Sequence, residues 1–160
     1  MFQTTSYSGD LAAGYDLLNK QLAALLEGET NAVANLANAS ALLNQFLDRI
    51  NWVGFYVTDS EDSLILGPFQ GLPACVHIAF GKGVCGTAAA TQETQLVADV
   101  HQFPGHIACD AASNSEIVVP LVRDGKTIGV LDIDSPEFDR FSEVDRVGLE
   151  RFCETLLRFI

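Results

Sequence analysis

One tight turn constrains the fold of this chain more than any other feature. Arg123-Asp124-Gly125-Lys126 lies between two apolar runs, Glu116–Val122 and Thr127–Asp134. An Asp-Gly pair between such runs is a strong signal for a β-hairpin, because both residues tolerate the positive φ that the turn requires. The sequence therefore predicts two long antiparallel strands, and other strands must extend the sheet that they begin.

The period of the apolar residues predicts the elements on either side of this hairpin. A three- and four-residue period predicts two N-terminal helices and a last helix that Ser142 caps. From Asn51 a period of two predicts a strand, which forms a hairpin with a second strand at Leu64–Leu66. Two short strands, at 77–80 and 96–100, and a short helix after the glycines of 81–86 complete the prediction. The segment GPFQGLPAC, residues 67–75, is predicted to be a loop because it contains two glycines and two prolines.

This order of elements predicts an α+β fold with one central antiparallel sheet. Helices would cover one face of the sheet, and ligand loops would lie on the other face. We expect a single domain over residues 1–160, with N-terminal helices at about 10–48, the sheet and catalytic loops at 51–136 and the C-terminal helix at about 142–159.

Composition limits the partners that we expect. The net charge is −12 and the pI about 4.4, so the surface repels nucleic acids and anionic lipid. No apolar run approaches the length of a membrane span, and the N-terminus lacks the basic and apolar regions of a secretory signal. We therefore expect a cytoplasmic protein without nucleic-acid or membrane partners, with its four cysteines reduced at rest.

The stretch FPGHIACDAASNSEIVVP, residues 103–120, contains a candidate nucleophile. Cys109 lies among small residues, near His106 and ahead of Glu116 at the start of a strand. A thiol in such a loop is either a nucleophile or a buried cysteine in a tight turn. His106 is a first candidate for its base.

The last strand of the sheet contains two aspartates in an apolar sequence. Side chains alternate along a strand, so Asp132 and Asp134 share one face, and Glu116 begins the neighbouring strand. Three converging carboxyl groups raise one another's pKa, and one of them could then donate a proton near neutral pH. The alternative is an ordinary polar outer face.

The other three cysteines differ in their surroundings. Cys153 lies on the apolar stripe of the last helix and is expected in the core. Cys85 lies in GKGVCG near a helix start, where the helix dipole could lower its pKa, and Cys75 ends the loop after the second strand. GKGVCG lacks the spacing of a phosphate-binding loop, and the cysteines and histidines match no common zinc pattern, so we expect no metal.

Five segments together resemble a known family. They are NWVGFY (51–56), LGPFQGLPAC (66–75), GKGVCG (81–86), DVHQFPGHIACDAASNSEIVVP (99–120) and GVLDIDSP (129–136). The combination closely resembles the free methionine (R)-sulfoxide reductases, which are stand-alone GAF-domain enzymes. The resemblance implies a single GAF-like domain that reduces free L-methionine-(R)-sulfoxide to L-methionine.

The resemblance also implies a role for each matching residue. Cys109 would attack the sulfoxide sulfur, Cys75 would form a disulfide with Cys109, and Cys85 would be a third cysteine able to act as an alternative resolving thiol. The remaining residues would line the substrate pocket. They are Glu116, Asp132 and Asp134, for the ammonium group and the sulfoxide oxygen, and Trp52 and Tyr56, as an aromatic wall for the S-methyl group.

The chemistry of sulfoxide reduction agrees with these roles. Attack on the sulfoxide leaves Cys109 as a sulfenic acid, which a second thiol condenses to a disulfide. An external dithiol must then reset the enzyme, and thioredoxin is the expected partner, with no metal or organic cofactor. Because a proton donor is needed rather than a base, the carboxyl groups fit better than His106. A homodimer through the N-terminal helices is a reasonable expectation.

Two alternatives remain at this point. A GAF-type module could sense a small molecule without catalysis, although that would leave Cys75 and Cys109 unexplained. A reductase of protein-bound methionine sulfoxide, or another thiol peroxidase-like enzyme, would need a more open cleft.

Overall fold

The computed structural model describes residues 2, 6, 7, 9–107 and 109–160. Over this range the helices are α1 (Leu11–Leu26), α2 (Ala32–Phe46), α3 (Gly83–Thr91) and α4 (Glu143–Leu157). The strands are β1 (Trp52–Ser60), β2 (Ser63–Gly71), β3 (His77–Ala79), β4 (Gln95–Val97), β5 (Ser115–Arg123) and β6 (Lys126–Ser135). No helix of the described part is long and apolar enough to cross a membrane.

All six strands form one antiparallel sheet in the order β3-β2-β1-β6-β5-β4. The predicted hairpin is confirmed: β5 and β6 pair along their length, and Asp124 and Gly125 have φ values of 53° and 76° at the turn. Two successive positive φ values are those of a type I′ turn, whose twist matches that of the flanking strands.

The two faces of the sheet bury two different sets of side chains. On one face α1, α2 and α4 pack against alternate residues of the central strands, such as Val53 and Phe55 of β1. On the other face α3 packs against the residues between them, such as Trp52 and Tyr56. The predicted α+β fold is therefore confirmed, with the short helix α3 added to the ligand face.

Polar caps explain where the helices begin. The side chains of Asp10 and Asn31 accept hydrogen bonds from the backbone at the starts of α1 and α2, at 2.7 and 2.9 Å. At the start of α4, Ser142 and Asp145 form a reciprocal capping box. Asp145 also accepts a 2.6 Å hydrogen bond from the Tyr15 hydroxyl of α1. This bond ties the cap of the last helix to the first helix.

Two sequence predictions of local structure were wrong. The predicted loop 67–75 is partly strand, because β2 continues to Gly71. The register between β1 and β2 shifts between Gly54 and Tyr56, and such a bulge accommodates the glycine and proline that follow Leu66. The predicted strand 96–100 is shorter: β4 ends at Val97, and residues 100–102 form a 3-10 helix.

Candidate active site

A cavity of about 40 Å³ lies on the ligand face of the sheet, room for a few water molecules. The strands β1, β5 and β6, the start of α3 and the loops that follow β2 and β4 enclose it. Of the eight predicted site residues, seven line the cavity: Trp52, Tyr56, Cys85, Cys109, Glu116, Asp132 and Asp134. The eighth, Cys75, is bonded to Cys109.

A disulfide between Cys75 and Cys109 closes one side of this cavity. It joins the loop after β2 to the loop before β5, with the two Cα atoms 5.8 Å apart. Cys109 is exposed, which excludes the alternative of a buried cysteine in a tight turn. Cys75 and Cys109 are the pair that the resemblance implied, and Cys85 and Cys153 are free thiols.

Two aromatic side chains of β1 hold the loop that carries Cys75. The Tyr56 hydroxyl donates a 2.9 Å hydrogen bond to the carbonyl oxygen of Cys75. The Trp52 indole nitrogen donates a 3.1 Å bond to the carbonyl oxygen of Leu72. The two rings stack at 5.9 Å, and Trp52 stacks on Phe69 at 5.1 Å. The aromatic wall of the cavity therefore also supports one partner of the disulfide.

The loop that carries Cys109 is held by Asn51, a residue to which the sequence assigned no role. Its side-chain nitrogen donates to the Asp110 carboxylate at 2.9 Å and to the Ser113 hydroxyl at 3.0 Å. Asp110 in turn accepts a 2.9 Å bond from the backbone of Ala112. Neither period nor spacing could have identified this contact, because the residues are about 60 positions apart in the chain.

The hairpin brings the three carboxyl groups together as predicted. In its register Glu116 lies opposite Asp134, and Asp132 lies two residues away on the same face. Glu116 and Asp132 are each only 6% exposed, so this face is not an ordinary polar outer surface.

Burial raises the pKa of all three acids. It raises the pKa of Glu116 and of Asp134 well above their usual range, and the neighbouring Asp132 charge raises both further. Burial also raises the pKa of Asp132, but hydrogen bonds from Glu116 and Cys85 oppose the rise. Asp132 is therefore the acid that ionises most readily, and Glu116 and Asp134 are the acids that retain protons.

Cys85 does not behave as its position near a helix start suggested. The thiol is buried, and burial followed by the Asp132 charge raises its pKa well above the usual range. Desolvation and negative neighbours therefore outweigh the dipole of α3, which would lower it. Cys153 is buried in the core beneath α4, as expected.

The histidines occupy different positions relative to the cavity. His106 lines it, and burial followed by repulsion from His101 lowers the His106 pKa. His77 and His101 are exposed, and His101 pairs with Asp99 at 2.8 Å. Of the cysteines and histidines, Cys85, Cys109 and His106 line the cavity, whereas His77 and His101 do not. A different group, Cys85, Glu116 and Asp132, has ligand atoms that all lie within 4.8 Å of one another.

Comparison with known proteins agrees with this geometry. The GAF domain family model matches residues 32–160. A free methionine-R-sulfoxide reductase of Escherichia coli is 56% identical over 89% of this chain and 86% of its own length. The family is thereby decided. This chain belongs to the GAF-domain free methionine-R-sulfoxide reductases.

Solved structures of this reductase family have the same fold. The enzyme from Neisseria meningitidis in complex with its substrate superposes with a TM-score of 0.93 at 45% identity, over 99% of this chain and 95% of that chain. The Staphylococcus aureus fRMsr in complex with substrate gives a TM-score of 0.86 at 56% identity, over 96% and 98%. The single GAF domain inferred from the sequence is confirmed.

The buried acids predict an unusual pH dependence of stability. A carboxyl group whose pKa rises on folding binds its proton more tightly in the native chain, so stability falls as the pH rises above the unfolded value, about 4.3 for Glu. We expect Glu116→Gln to raise the free energy of unfolding at pH 8 by more than the ~0.5 kcal/mol of a surface substitution, and to change it little at pH 4. Urea denaturation of the oxidised protein at both pH values measures this.

The matched control for this prediction is Glu154→Gln, on the exposed side of α4. It should change stability equally little at both pH values. The prediction fails if Glu116→Gln has the same effect at pH 8 as at pH 4.

Proposed function

We propose that this chain reduces free L-methionine-(R)-sulfoxide to L-methionine and that thioredoxin resets it. The observation that carries the proposal is the Cys75–Cys109 disulfide beside a cavity that three acidic side chains also line. A thiol pair supplies the two electrons for the reduction, and protonated acids supply the proton that the sulfoxide oxygen requires. A sensing module would need neither feature.

In the first step the Cys109 thiolate attacks the sulfoxide sulfur while the oxygen takes a proton. Collapse of this adduct transfers the oxygen to Cys109, which becomes a sulfenic acid, and releases methionine as the thioether. Cys109 suits the role of nucleophile because it is exposed and also lines the cavity.

The three acids have different proposed roles because they differ in how readily they lose a proton. Glu116 and Asp134, whose pKa values are raised by burial, hold protons near neutral pH and are the proposed donors to the sulfoxide oxygen. Asp132 ionises most readily and is the proposed partner of the substrate's ammonium group. The cavity would then contain both the acid that protonates the sulfoxide oxygen and the carboxylate that binds the ammonium group.

In the second step the Cys75 thiol attacks the sulfenic sulfur of Cys109 and water leaves. The product of this step is the disulfide seen in the structure. A dithiol such as that of thioredoxin then reduces it by exchange, which an exposed Cys109 sulfur allows. A cytoplasmic location suits this reductant.

Assembly as a homodimer through the N-terminal helices is part of the proposal. The outer faces of these helices expose apolar side chains, among them Leu11, Leu17 and Val33, at 43%, 40% and 67%. Burial of such side chains against a second copy would contribute to association.

A coupled assay tests the activity. Purified protein with thioredoxin, thioredoxin reductase and NADPH should consume free L-methionine-(R)-sulfoxide and leave the (S) epimer unreacted, because the carboxyl groups fix one orientation of the sulfoxide. NADPH oxidation is followed by absorbance, with protein-bound methionine sulfoxide as the comparison substrate. An absence of oxidation above background with the free (R) epimer would exclude the proposal.

Cysteine variants separate the two chemical steps. Cys109→Ser should abolish even a single turnover, because no other exposed thiol lines the described cavity. Cys75→Ser should form about one methionine per chain and then recycle poorly, unless Cys85 replaces it. Methionine formed per chain is counted in a quenched reaction without thioredoxin. Cys153→Ala, a change in the core, is the control and should behave as wild type.

The hydrogen bond between Tyr56 and Cys75 predicts that loss of the Tyr56 hydroxyl affects disulfide formation more than methionine formation. Tyr56→Phe keeps the ring in the cavity wall but removes the hydrogen bond to the Cys75 carbonyl. A hydrogen bond is worth about 0.5–1.5 kcal/mol, so we expect disulfide formation to slow ~2–10-fold while methionine formation changes less. Rapid quenching with a sulfenic-acid trap measures both rates.

The control for this variant is Tyr7→Phe, which removes a hydroxyl that donates to Gln21 far from the cavity. Equal slowing of both steps in Tyr56→Phe would assign Tyr56 to the substrate rather than to the Cys75 loop.

A further inference from the structure

Cys85, Glu116 and Asp132 form a compact group of potential metal ligands. They come from α3, β5 and β6, all three are buried, and their ligand atoms lie within 4.8 Å of one another. Around a tetrahedral zinc ion, sulfur at 2.3 Å and oxygen at about 2.0 Å are roughly 3.3–3.6 Å apart. From the 4.8 Å limit, the three side chains would need to close by about 1.2–1.5 Å to share one ion.

Two unpaired atoms belong to side chains that line the same cavity, Asp132 within this group and His106 outside it. Asp132 is 6% exposed, and its Oδ1 has no hydrogen-bond partner among the described residues. The His106 Nδ1 is also buried without a partner in that part of the chain. The two side chains interact electrostatically, and both line the cavity. Buried polar atoms without partners are rare in proteins, and here they point to a ligand.

The donor set indicates which kind of ion would bind. One thiolate, one imidazole and two carboxylate oxygens would give four ligands, the usual number for zinc. Magnesium and calcium prefer oxygen ligands alone, so the sulfur and nitrogen donors disfavour them.

We propose that Cys85, Glu116 and Asp132, with His106 as fourth ligand, bind a thiophilic divalent cation of the zinc class, and that this ion excludes the amino acid from the cavity. The ion is an inhibitor and not a cofactor, because the proposed reaction needs no metal. It occupies Asp132, the proposed partner of the ammonium group, and Glu116, a proposed proton donor. The metal site stands independently of the proposed function, and only the exclusion of the amino acid rests on it.

Oxidised protein without a histidine tag gives the sharpest test. The Cys75–Cys109 disulfide, verified by peptide mapping, removes the two reactive thiols from competition and leaves Cys85 and Cys153 free. Calorimetric titration with Zn²⁺ should show one site per chain. Cd²⁺ should produce a thiolate-to-metal absorption band in the ultraviolet. Absence of one-to-one binding, or binding of Cd²⁺ without that band, would overturn the proposal.

Matched variants identify the ligands. Cys85→Ser should abolish the Cd²⁺ band and weaken Zn²⁺ binding at least ~10-fold, the loss that even an outer contact to a metal site can cause. His106→Ala should weaken Zn²⁺ binding while it keeps the band. Cys153→Ala and His101→Ala, which change the same residue types outside the cavity, should bind as wild type. If Cys85→Ser bound Zn²⁺ as tightly as wild type, the site would be wrong.

Competition tests the exclusion separately. Saturating L-methionine should raise the apparent dissociation constant for Zn²⁺, and EDTA should restore methionine binding. Zn²⁺ binding that methionine does not affect would overturn the exclusion. Failure of the activity assay alone would concern the proposed reaction and would leave the metal site unaltered.

Discussion

Three carboxyl groups meet on one face of the sheet, two of them on the buried residues Glu116 and Asp132, and this meeting constrains the rest of the site. A buried charge costs several kcal/mol unless it is neutralised or paired. Glu116 and Asp134 meet this cost by retaining protons, and Asp132 meets part of it through hydrogen bonds. The cluster can therefore both donate protons and bind cations. The proposed reaction uses both properties, and the proposed zinc site competes for the second.

The first strand of the sheet holds both loops that meet in the disulfide. Asn51, just before β1, anchors the Cys109 loop through Asp110 and Ser113. Trp52 and Tyr56, within β1, anchor the Cys75 loop through its carbonyl groups. Since β1 also pairs with β6, the strand that carries two of the acids, one rigid element sets the positions of both thiols relative to the acids. Such support from regular structure is what a precise reactive geometry requires.

Local signals in the sequence predicted most of the fold. The Asp-Gly turn fixed the hairpin, and side-chain alternation then placed Asp132 and Asp134 on one face opposite Glu116. The failures have physical reasons: a bulge tolerates the proline of β2 that a regular strand would not. The raised pKa of Cys85 depends on burial and on acids from other strands, which no local pattern contains. For the same reason the anchoring role of Asn51 was missed, because it depends on residues distant in the chain.

The two faces of the sheet have a consequence for how tightly this sequence specifies its register. Along β6 the side chains of Leu131 and Ile133 enter the core beneath the helices, while those of Asp132 and Asp134 enter the cavity. A slip of one residue would turn the aspartates into the core and the aliphatic side chains into the cavity. A misregistered chain would thus lose its stability and its chemistry in the same event. Both faces of the sheet therefore disfavour a slipped pairing of β6. A slipped form that packs well but is inactive is excluded.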